Sequence, residues 1–438
     1  MAIRVIRFGL IPFAWAACTH APRLVLDAPE VIIRHINVVD VERGVLLQDQ
    51  LVAMRDGAFT YVGKDPGRVD TVPGARYVDG TGLYAMPGLF DMHVHVCWSD
   101  TNATLLLPTL LAHGIMGVRD MGGDLRLVNA FKQRVLADAT AGPEIWGCGP
   151  ILDGDPPVFA DFTVPINNTT DVPHLLDSLA EGGVDFYKVY SLLEQEPLEH
   201  IAAYCAEHHA TFAGHLSELV EPERAIALGQ HSIEHLNRLD EIWNDDPSRL
   251  DSILALMMEH EAWSCPTLIV YHRKSHMNDA AIRDTLLDAL VPDLQAEWET
   301  NRTRRLSRYG TASQLDSLHQ RYRAQQQLVR HIHIQGTRMV AGSDLGGAPF
   351  VYPGIGLLEE LERLAEAGIP HAEVLRMATT APAEYLGISN TRGTVAVGKQ
   401  ADLVLLRGNP LDSVSHIRSI VRVIHRARLV ERGPRRSL

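Results

Sequence analysis

The chain has 438 residues, of which 46% are hydrophobic and 21% charged, and its formal net charge is −14. That length can bury a large core, and so ordinary a composition excludes a disordered or fibrous chain. An acidic balance of this size repels nucleic-acid phosphates and anionic head groups, so no nucleic-acid partner is expected.

From the N-terminus, Arg4 and Arg7 precede an apolar stretch from Phe8 to Ala17 that ends in Trp15-Ala16-Ala17-Cys18. A positive start, a short apolar run and a small-residue exit predict a signal peptide over residues 1–22 and an exported, periplasmic or membrane-anchored protein. The small residues before Cys18 resemble a bacterial lipobox and imply a lipid anchor there, with Trp15 and Pro12 departing from that pattern. A cytoplasmic protein with a frayed start is the alternative. No later apolar run approaches the ~20 residues of a membrane-spanning helix, so no such helix is expected. Cys97, Cys148, Cys205 and Cys265 sit mostly in apolar segments with no Cys-x-x-Cys pair, which reads as small buried hydrophobes.

Residues 31–78 are β-branched runs broken by turn signals ("VIIRHINVVD", "LVAMRDGAFTYVG", "ARYVDGTG"), and similar pieces return near the C-terminus ("ADLVLLRG", "SIVRVIHRARLV"). The two ends therefore predict one small β-sandwich domain from residues 23–82 and 387–438. Between them, residues 83–386 alternate apolar runs with helical stretches. Eight candidate strands can be read: "LYAMPGLFDMHVHV", "GIMGVRDMG", "PEIWGCGPIL", "VDFYKVYSL", "ATFAGHLS", "HSIEHL", "AWSCPTLIVY" and "TRMVAGSDL". This predicts an α/β fold with a (β/α)8 TIM barrel, whose chemistry would sit at the C-terminal strand ends. A doubly wound sheet is the runner-up, without a G-x-G-x-x-G fingerprint to support it. A helical insertion over about residues 272–335 interrupts the last part of the barrel, as lids and substrate-binding elements do.

Conspicuous polar residues fall near the ends of these strands. His93 and His95 alternate along the first strand and project from one face about 6–7 Å apart, which suits two imidazoles converging on one metal. The same pattern in His331-Ile332-His333 lies on a helix, where residues two apart point about 200° apart, and is expected to be solvated. His215, His235 and Asp344 are single polar residues in three other candidate strands. Each alone suits a hydrogen-bonded strand-end group, and together with the His-x-His pair they suit a metal centre. Lys188 lies among Val184, Phe186, Tyr187, Val189 and Tyr190, where a lysine finds little water. It reads as a snorkelling or paired lysine, a Schiff-base amine or a modified metal ligand.

The segment "DGTGLYAMPGLFDMHVH" resembles the entry segment of the amidohydrolase superfamily, and "TTAPAEYLGISNTRGTVAVGKQADLVLLRGNPL" resembles its closing segment. The similarity spans about Val31 to Val430. The pattern of two histidines after strand 1, lysine on strand 4, histidines on strands 5 and 6 and aspartate on strand 8 is similar to the binuclear-metal type. The "FYKVY", "SIEHL" and "CPTL" segments look most like the imidazolonepropionase-related and prolidase-like members. The resemblance implies that His93, His95 and Asp344 hold the more buried of two divalent ions, most simply zinc, and that His215 and His235 hold the other. It implies that Lys188, carboxylated by carbon dioxide, and a hydroxide bridge them. Asp344 would then be the catalytic proton carrier beside the Lys188 bridge. The segment "GHLSE" departs from the small-residue run usual after the strand 5 histidine.

These implications predict a metal-dependent hydrolase that cleaves an amide bond in a dipeptide or N-acyl amino acid by attack of the bridging hydroxide. A mononuclear deaminase or cyclic-amide hydrolase on the same fold is the alternative, and a non-enzymatic exported binding protein is a third reading. Tyr271, His272 and Arg273, just after strand 7, are candidate substrate contacts, with Arg273 suited to a carboxylate. A solvated loop cation is the competing reading of Arg273. A homo-oligomer is compatible with the sequence, which leaves the oligomeric state open.

Overall fold

The computed structural model describes residues 26–430 apart from 27–28, 68, 70–72, 168, 280–281 and 283–291. The leader and Cys18 lie outside the described residues, as does part of the insertion. Chain ends and barrel entry form β1 (Val31–Asp40), β2 (Val45–Arg55), β3 (Ala58–Lys64), β4 (Arg76–Asp79) and β5 (Tyr84–Pro87). The barrel region supplies β6 (Leu89–Val94), β7 (Ile115–Asp120), β8 (Glu144–Gly147), β9 (Ile151–Gly154), β10 (Thr163–Ile166), β11 (Tyr187–Val189), β12 (Phe212–Gly214), β13 (Ser232–Glu234), β14 (Trp263–Cys265) and β15 (Arg338–Met339). The chain closes with β16 (Leu403–Leu406), β17 (Ile420–His425) and β18 (Arg428–Val430).

Both chain ends meet in one continuous eight-stranded sheet, ordered β18-β17-β16-β5-β1-β2-β3 with β4 beside β1. Alternating Val31, Ile33, Val38, Val52, Leu403 and Leu405 bury one face of it, as period-2 patterning requires. The run "LYAMPGLFDMHVHV", read as one strand, is two. It breaks at Gly88, where an added Cβ would sit 2.2 Å from Met116 Cγ. Ahead of the break β5 pairs with β1 and β16, and after it β6 opens the barrel beside β7. The run "PEIWGCGPIL" also divides: β8 pairs with β7, while β9 pairs with β10 and β11.

All pairings within the barrel region are parallel, in β6-β7-β8 and in β10-β9-β11-β12-β13-β14-β15. Backbone bonds join the two arcs: Asp185 N donates to Gly147 O at 2.9 Å, Met92 N to Ala341 O at 2.9 Å and Asp344 N to His93 O at 2.7 Å. The eight staves are thus β6, β7, β8, β11, β12, β13, β14 and the chain leading from β15 to Asp344, which is the (β/α)8 barrel with a β domain. Parallel strands buried on both faces read as continuous apolar runs, which is why they were countable in the sequence.

Among the described residues the helices are α1 (Asp100–Ala112), α2 (Leu125–Ala137), α3 (Val172–Glu181), α4 (Gln195–His208), α5 (Pro222–Ala227), α6 (Leu239–Asp245) and α7 (Pro247–Glu259). They continue with α8 (Leu268–Ser275), α9 (Pro292–Tyr309), α10 (Ala312–Ile334), α11 (Ile355–Glu366), α12 (His371–Met377) and α13 (Thr380–Tyr385). The insertion therefore contains the end of α8, then α9 and α10. A capping box between Thr311 and Gln314 starts α10, satisfying two otherwise orphaned backbone donors. Helix α8 starts where Glu360 of α11 accepts from Leu268 N at 2.9 Å and Ile269 N at 2.6 Å. No helix among the described residues is long and apolar enough to cross a membrane, and Cys97, Cys148, Cys205 and Cys265 are buried free thiols.

Candidate metal centre

The six predicted ligands gather at one end of the barrel. His93 lies within β6 and His95 just past it, Lys188 is the middle residue of β11, His215 and His235 directly follow β12 and β13, and Asp344 follows β15. All six are buried. Ring centroids are 5.4 Å apart for His93 and His95, 4.7 Å for His93 and His235, and 4.9 Å for His215 and His235.

Every one of the four imidazoles commits its Nδ1 to the protein. His93 Nδ1 meets Glu234 Oε2 at 2.7 Å and His95 Nδ1 meets the Gly122 carbonyl at 3.1 Å. His215 Nδ1 meets Ser191 Oγ at 2.9 Å and His235 Nδ1 meets Thr267 Oγ1 at 2.5 Å. This leaves four Nε2 atoms for a common centre, the arrangement by which outer partners orient metal-ligating histidines. The Nε2 atoms of His93 and His215 are buried without a hydrogen-bond partner. Those of His93 and His95 each lie 3.5 Å from Asp344 Oδ1, and ligand atoms of His93, His235 and Asp344 lie within 4.8 Å of one another. Orphaned buried nitrogens facing a carboxylate fit a divalent cation, and the imidazole and carboxylate donors suit zinc.

Electrostatics prepare the same groups. Burial, reinforced by the nearby Lys188 charge, holds His93 and His215 well below the ordinary imidazole range and His95 at about 4. For His235 burial acts together with His93 and Lys188. All four imidazoles are therefore neutral at neutral pH. Burial also lowers the Lys188 amine, and its Nζ has no hydrogen bond or ion pair to a described residue; the Tyr190 ring lies 5.7 Å away. Burial pushes Asp344 up to about 7, opposed by Lys274 and Lys188. His235, Asp344 and Thr267 hold left-handed backbone, with φ of 64°, 59° and 46°, at a cost of about 1–3 kcal/mol each.

The sequence reading missed the support beneath this centre. Glu234 is fully buried, and its Oε1 accepts from Arg119 and from Ser232 Oγ, both at 2.5 Å. Arg119 also donates to the Met92 carbonyl at 2.7 Å and to Tyr385 Oη at 2.5 Å. The available signal was an acid and a base inside apolar strands, in "SIEHL" and "GVRDMG". Asp91, held up near 7 by burial, accepts from Ser343 N at 2.8 Å and Ser343 Oγ at 2.6 Å and so anchors the Asp344 turn.

An aromatic wall flanks the centre. Trp98 packs on His95 with ring centroids 5.1 Å apart and stacks on Phe162 at 5.8 Å. Tyr190 covers His215 at 3.9 Å, and Phe159 lies 5.8 Å from Tyr190. Phe159 is 55% exposed, so the segment between β9 and β10 presents apolar surface beside the ligands. A 540 Å³ cavity is lined by Ser191, Leu216, Glu218, Asn237, Arg238 and Arg321, among others.

The candidate substrate contacts stand differently from their expected loop. Tyr271, His272 and Arg273 lie on α8. Arg273 is not a free loop cation: it is 5% exposed, donates to the Phe350 carbonyl at 2.7 Å and pairs with Glu359. A guanidinium so engaged has little left for a substrate carboxylate. His272 stacks on His276 with centroids 4.3 Å apart. Tyr271 Oη accepts from Leu236 N at 2.8 Å and lies 3.2 Å from Asn237 Oδ1, beside His235. His331, expected to be solvated, is only partly exposed: its Nε2 lies 2.6 Å from Asp251 Oδ1 and its ring packs on Trp243 at 4.7 Å.

Residues 84–430 match the model of the amidohydrolase family. In sequence, a 99-residue stretch is 33% identical to adenine deaminase 3 of Rhizobium meliloti (strain 1021), covering 22% of this chain and 16% of that protein. In structure, the chain resembles a Bifidobacterium longum protein provisionally assigned as a prolidase, with TM-score 0.73, 23% identity and coverage of 94% and 97% of the two chains. It also resembles an Xaa-Pro dipeptidase with bound methionine, with TM-score 0.69, 19% identity and coverage of 92% and 100%. The bottromycin amidohydrolase aligns at TM-score 0.72 and 21% identity over 91% and 86%. These solved structures share the fold, and the family match spans most of the sequence: the chain belongs to the amidohydrolase family.

Proposed function

We propose that this protein is a dinuclear-metal hydrolase of an amide bond in a dipeptide or N-acyl amino acid. His93, His95 and Asp344 would hold one ion, His215 and His235 the other, and carboxylated Lys188 would join them. The observation that carries the reading is the common polarity of the four imidazoles, each with Nδ1 taken by the protein and Nε2 left for a shared centre. When bound, two divalent ions activate water and polarise a scissile carbonyl. The chain supplies the rest. Burial favours the neutral Lys188 amine that carboxylation requires. Asp344, raised to about 7, can take a proton from the attacking water and return it to the departing nitrogen near neutral pH. The wall of Trp98, Phe159, Phe162 and Tyr190 suits an apolar substrate side chain and keeps water from one flank.

The second reading is a mononuclear deaminase, favoured by the compact His93, His235 and Asp344 triad. Lys188 weighs against it, because one ion needs no bridge. The test is a panel of dipeptides, N-acyl amino acids and aminated nucleobases offered to zinc-loaded protein. Amide cleavage that chelation abolishes and metal restores is expected. Deamination with every amide left intact would overturn the proposal in favour of the second reading.

A further inference from the structure

Beside the proposed metal centre, a 300 Å³ cavity is walled by Asn237, Tyr271, Lys274, Arg305, Tyr309 and Arg321, among others, and none of its lining side chains is acidic. Four of these residues, Lys274, Arg305, Tyr309 and Arg321, lie in the helical insertion. The cavity shares Asn237 and Arg321 with the 540 Å³ cavity, whose lining includes Ser191, the partner of His215 Nδ1. Its cations are not equivalent. Arg321 is neutralised by Asp240 at 2.8 Å. Lys274 and Arg305 have neither a hydrogen bond nor an ion pair to any described residue; the Tyr271 ring, 5.4 Å from Lys274 Nζ, is the recorded neighbour of the lysine. Both are only partly exposed.

Two cations that share one cavity without an ion pair to a described residue are costly in a folded chain. Arg273, the neighbour of Lys274 on the same helix, is paired with Glu359, and Arg249 with Glu221 and Glu223. Lys274 and Arg305 have no such partner among the described residues, and the point charge of one and the forked donors of the other suit an anion, above all a carboxylate. The cavity reaches toward the centre through Asn237, two residues after His235, and through Tyr271, whose Oη accepts from Leu236 N.

We propose that Lys274 and Arg305 form the subsite for the substrate's carboxylate, so that the enzyme selects substrates with a free carboxyl group and the insertion helix α9 is a specificity element. This deepens the function proposed above and rests on it for the identity of the scissile bond. Lys274 is a specificity residue, outside the proton-transfer machinery.

The test compares N-acetyl-L-phenylalanine with N-acetylphenethylamine, which differ by the carboxylate alone, on metal-loaded wild type, Lys274→Met and Arg305→Met. KM is read if they are cleaved and Kd by calorimetry if they are not, so loss of the hydrolytic reading leaves the carboxylate test intact. Wild type is expected to favour the acid by about tenfold or more, the worth of one charged hydrogen bond. Lys274→Met should remove that preference while KM or Kd for the neutral compound stays within twofold, and Arg305→Met should reduce it. Equal affinity of wild type for both compounds, no binding of the acid up to 10 mM, or an undiminished preference in both variants would overturn the proposal. Matching circular dichroism and melting temperatures establish that each variant is folded.

Discussion

Glu234→Gln separates the architecture beneath the proposed metal centre from the ligands themselves. Glu234 joins His93 Nδ1 at 2.7 Å to Arg119 at 2.5 Å, and all three side chains are fully buried. The Arg119 charge, with the Ser232 hydrogen bond, outweighs burial and holds this carboxylate below its ordinary range, so it is ionised. A glutamine keeps the shape and loses the charge. Its oxygen will turn to Arg119, which presents the NH2 to His93 Nδ1 and drives the imidazole proton onto Nε2, the atom a metal needs. Metal affinity should fall about 10–100-fold, the usual weight of an outer partner, or about 1.4–2.7 kcal/mol. The metal-free protein should also lose stability through the uncompensated arginine, for which removing one partner of a buried pair typically costs ~3–5 kcal/mol. Arg119 retains Met92 O and Tyr385 Oη, so the lower end applies. Competition with a fluorescent chelator reads the first effect, and denaturant unfolding of chelated protein reads the second. Adding Arg119→Met should recover part of the stability and none of the metal affinity. A single variant with wild-type metal affinity and stability would refute the reasoning.

Three further outcomes follow from the geometry. Asp344→Asn keeps an oxygen toward the histidines and loses the proton acceptor, so kcat should fall by ~10² or more; a loss under tenfold in steady-state kinetics would assign the proton to another group. His272 is held down to about 3, chiefly by burial and then by His276, Arg363, Arg273 and His319, and His276 is likewise lowered by burial. Since unfolded histidine titrates near ~6.5, their contribution to stability is intact above that pH and declines as pH falls from ~6.5 toward 3. His272→Phe should therefore flatten the fall in unfolding free energy between pH 6.5 and 4.5, and an unchanged slope in denaturant titrations would contradict the assignment. Phe159→Ala, in the exposed aromatic wall, should raise KM for substrates with large apolar side chains several-fold with little effect on alanine-containing ones; equal effects on both would remove the wall from substrate selection.

The barrel and its centre were legible because parallel strands need unbroken apolar runs, against which His93, His95, Lys188, His215, His235 and Asp344 stand out. The β domain was legible through alternation at both ends of the chain, while the break at Gly88 was hidden because β5 and β6 are equally apolar. The setting of Arg273 was hidden for a geometric reason. The segment after β14 is pinned into a helix by Glu360, some ninety residues later, and the direction each side chain takes from α8 is set by that packing. Arg273 turns to Glu359 and Lys274 to the cavity. Glu234 and Arg119 were overlooked because an ion pair between β7 and β13 has no local spacing, although each charged residue was visible inside an apolar strand.

The central claim is a two-ion centre bridged through Lys188, and the most direct measurement is the metal-to-protein ratio of zinc-supplemented wild type and Lys188→Ala by plasma mass spectrometry. The account predicts close to two ions per chain in wild type and one or fewer in the variant, with partial recovery of the second ion in the presence of short carboxylic acids. A single ion in fully folded wild type, or two ions retained without Lys188, would contradict it.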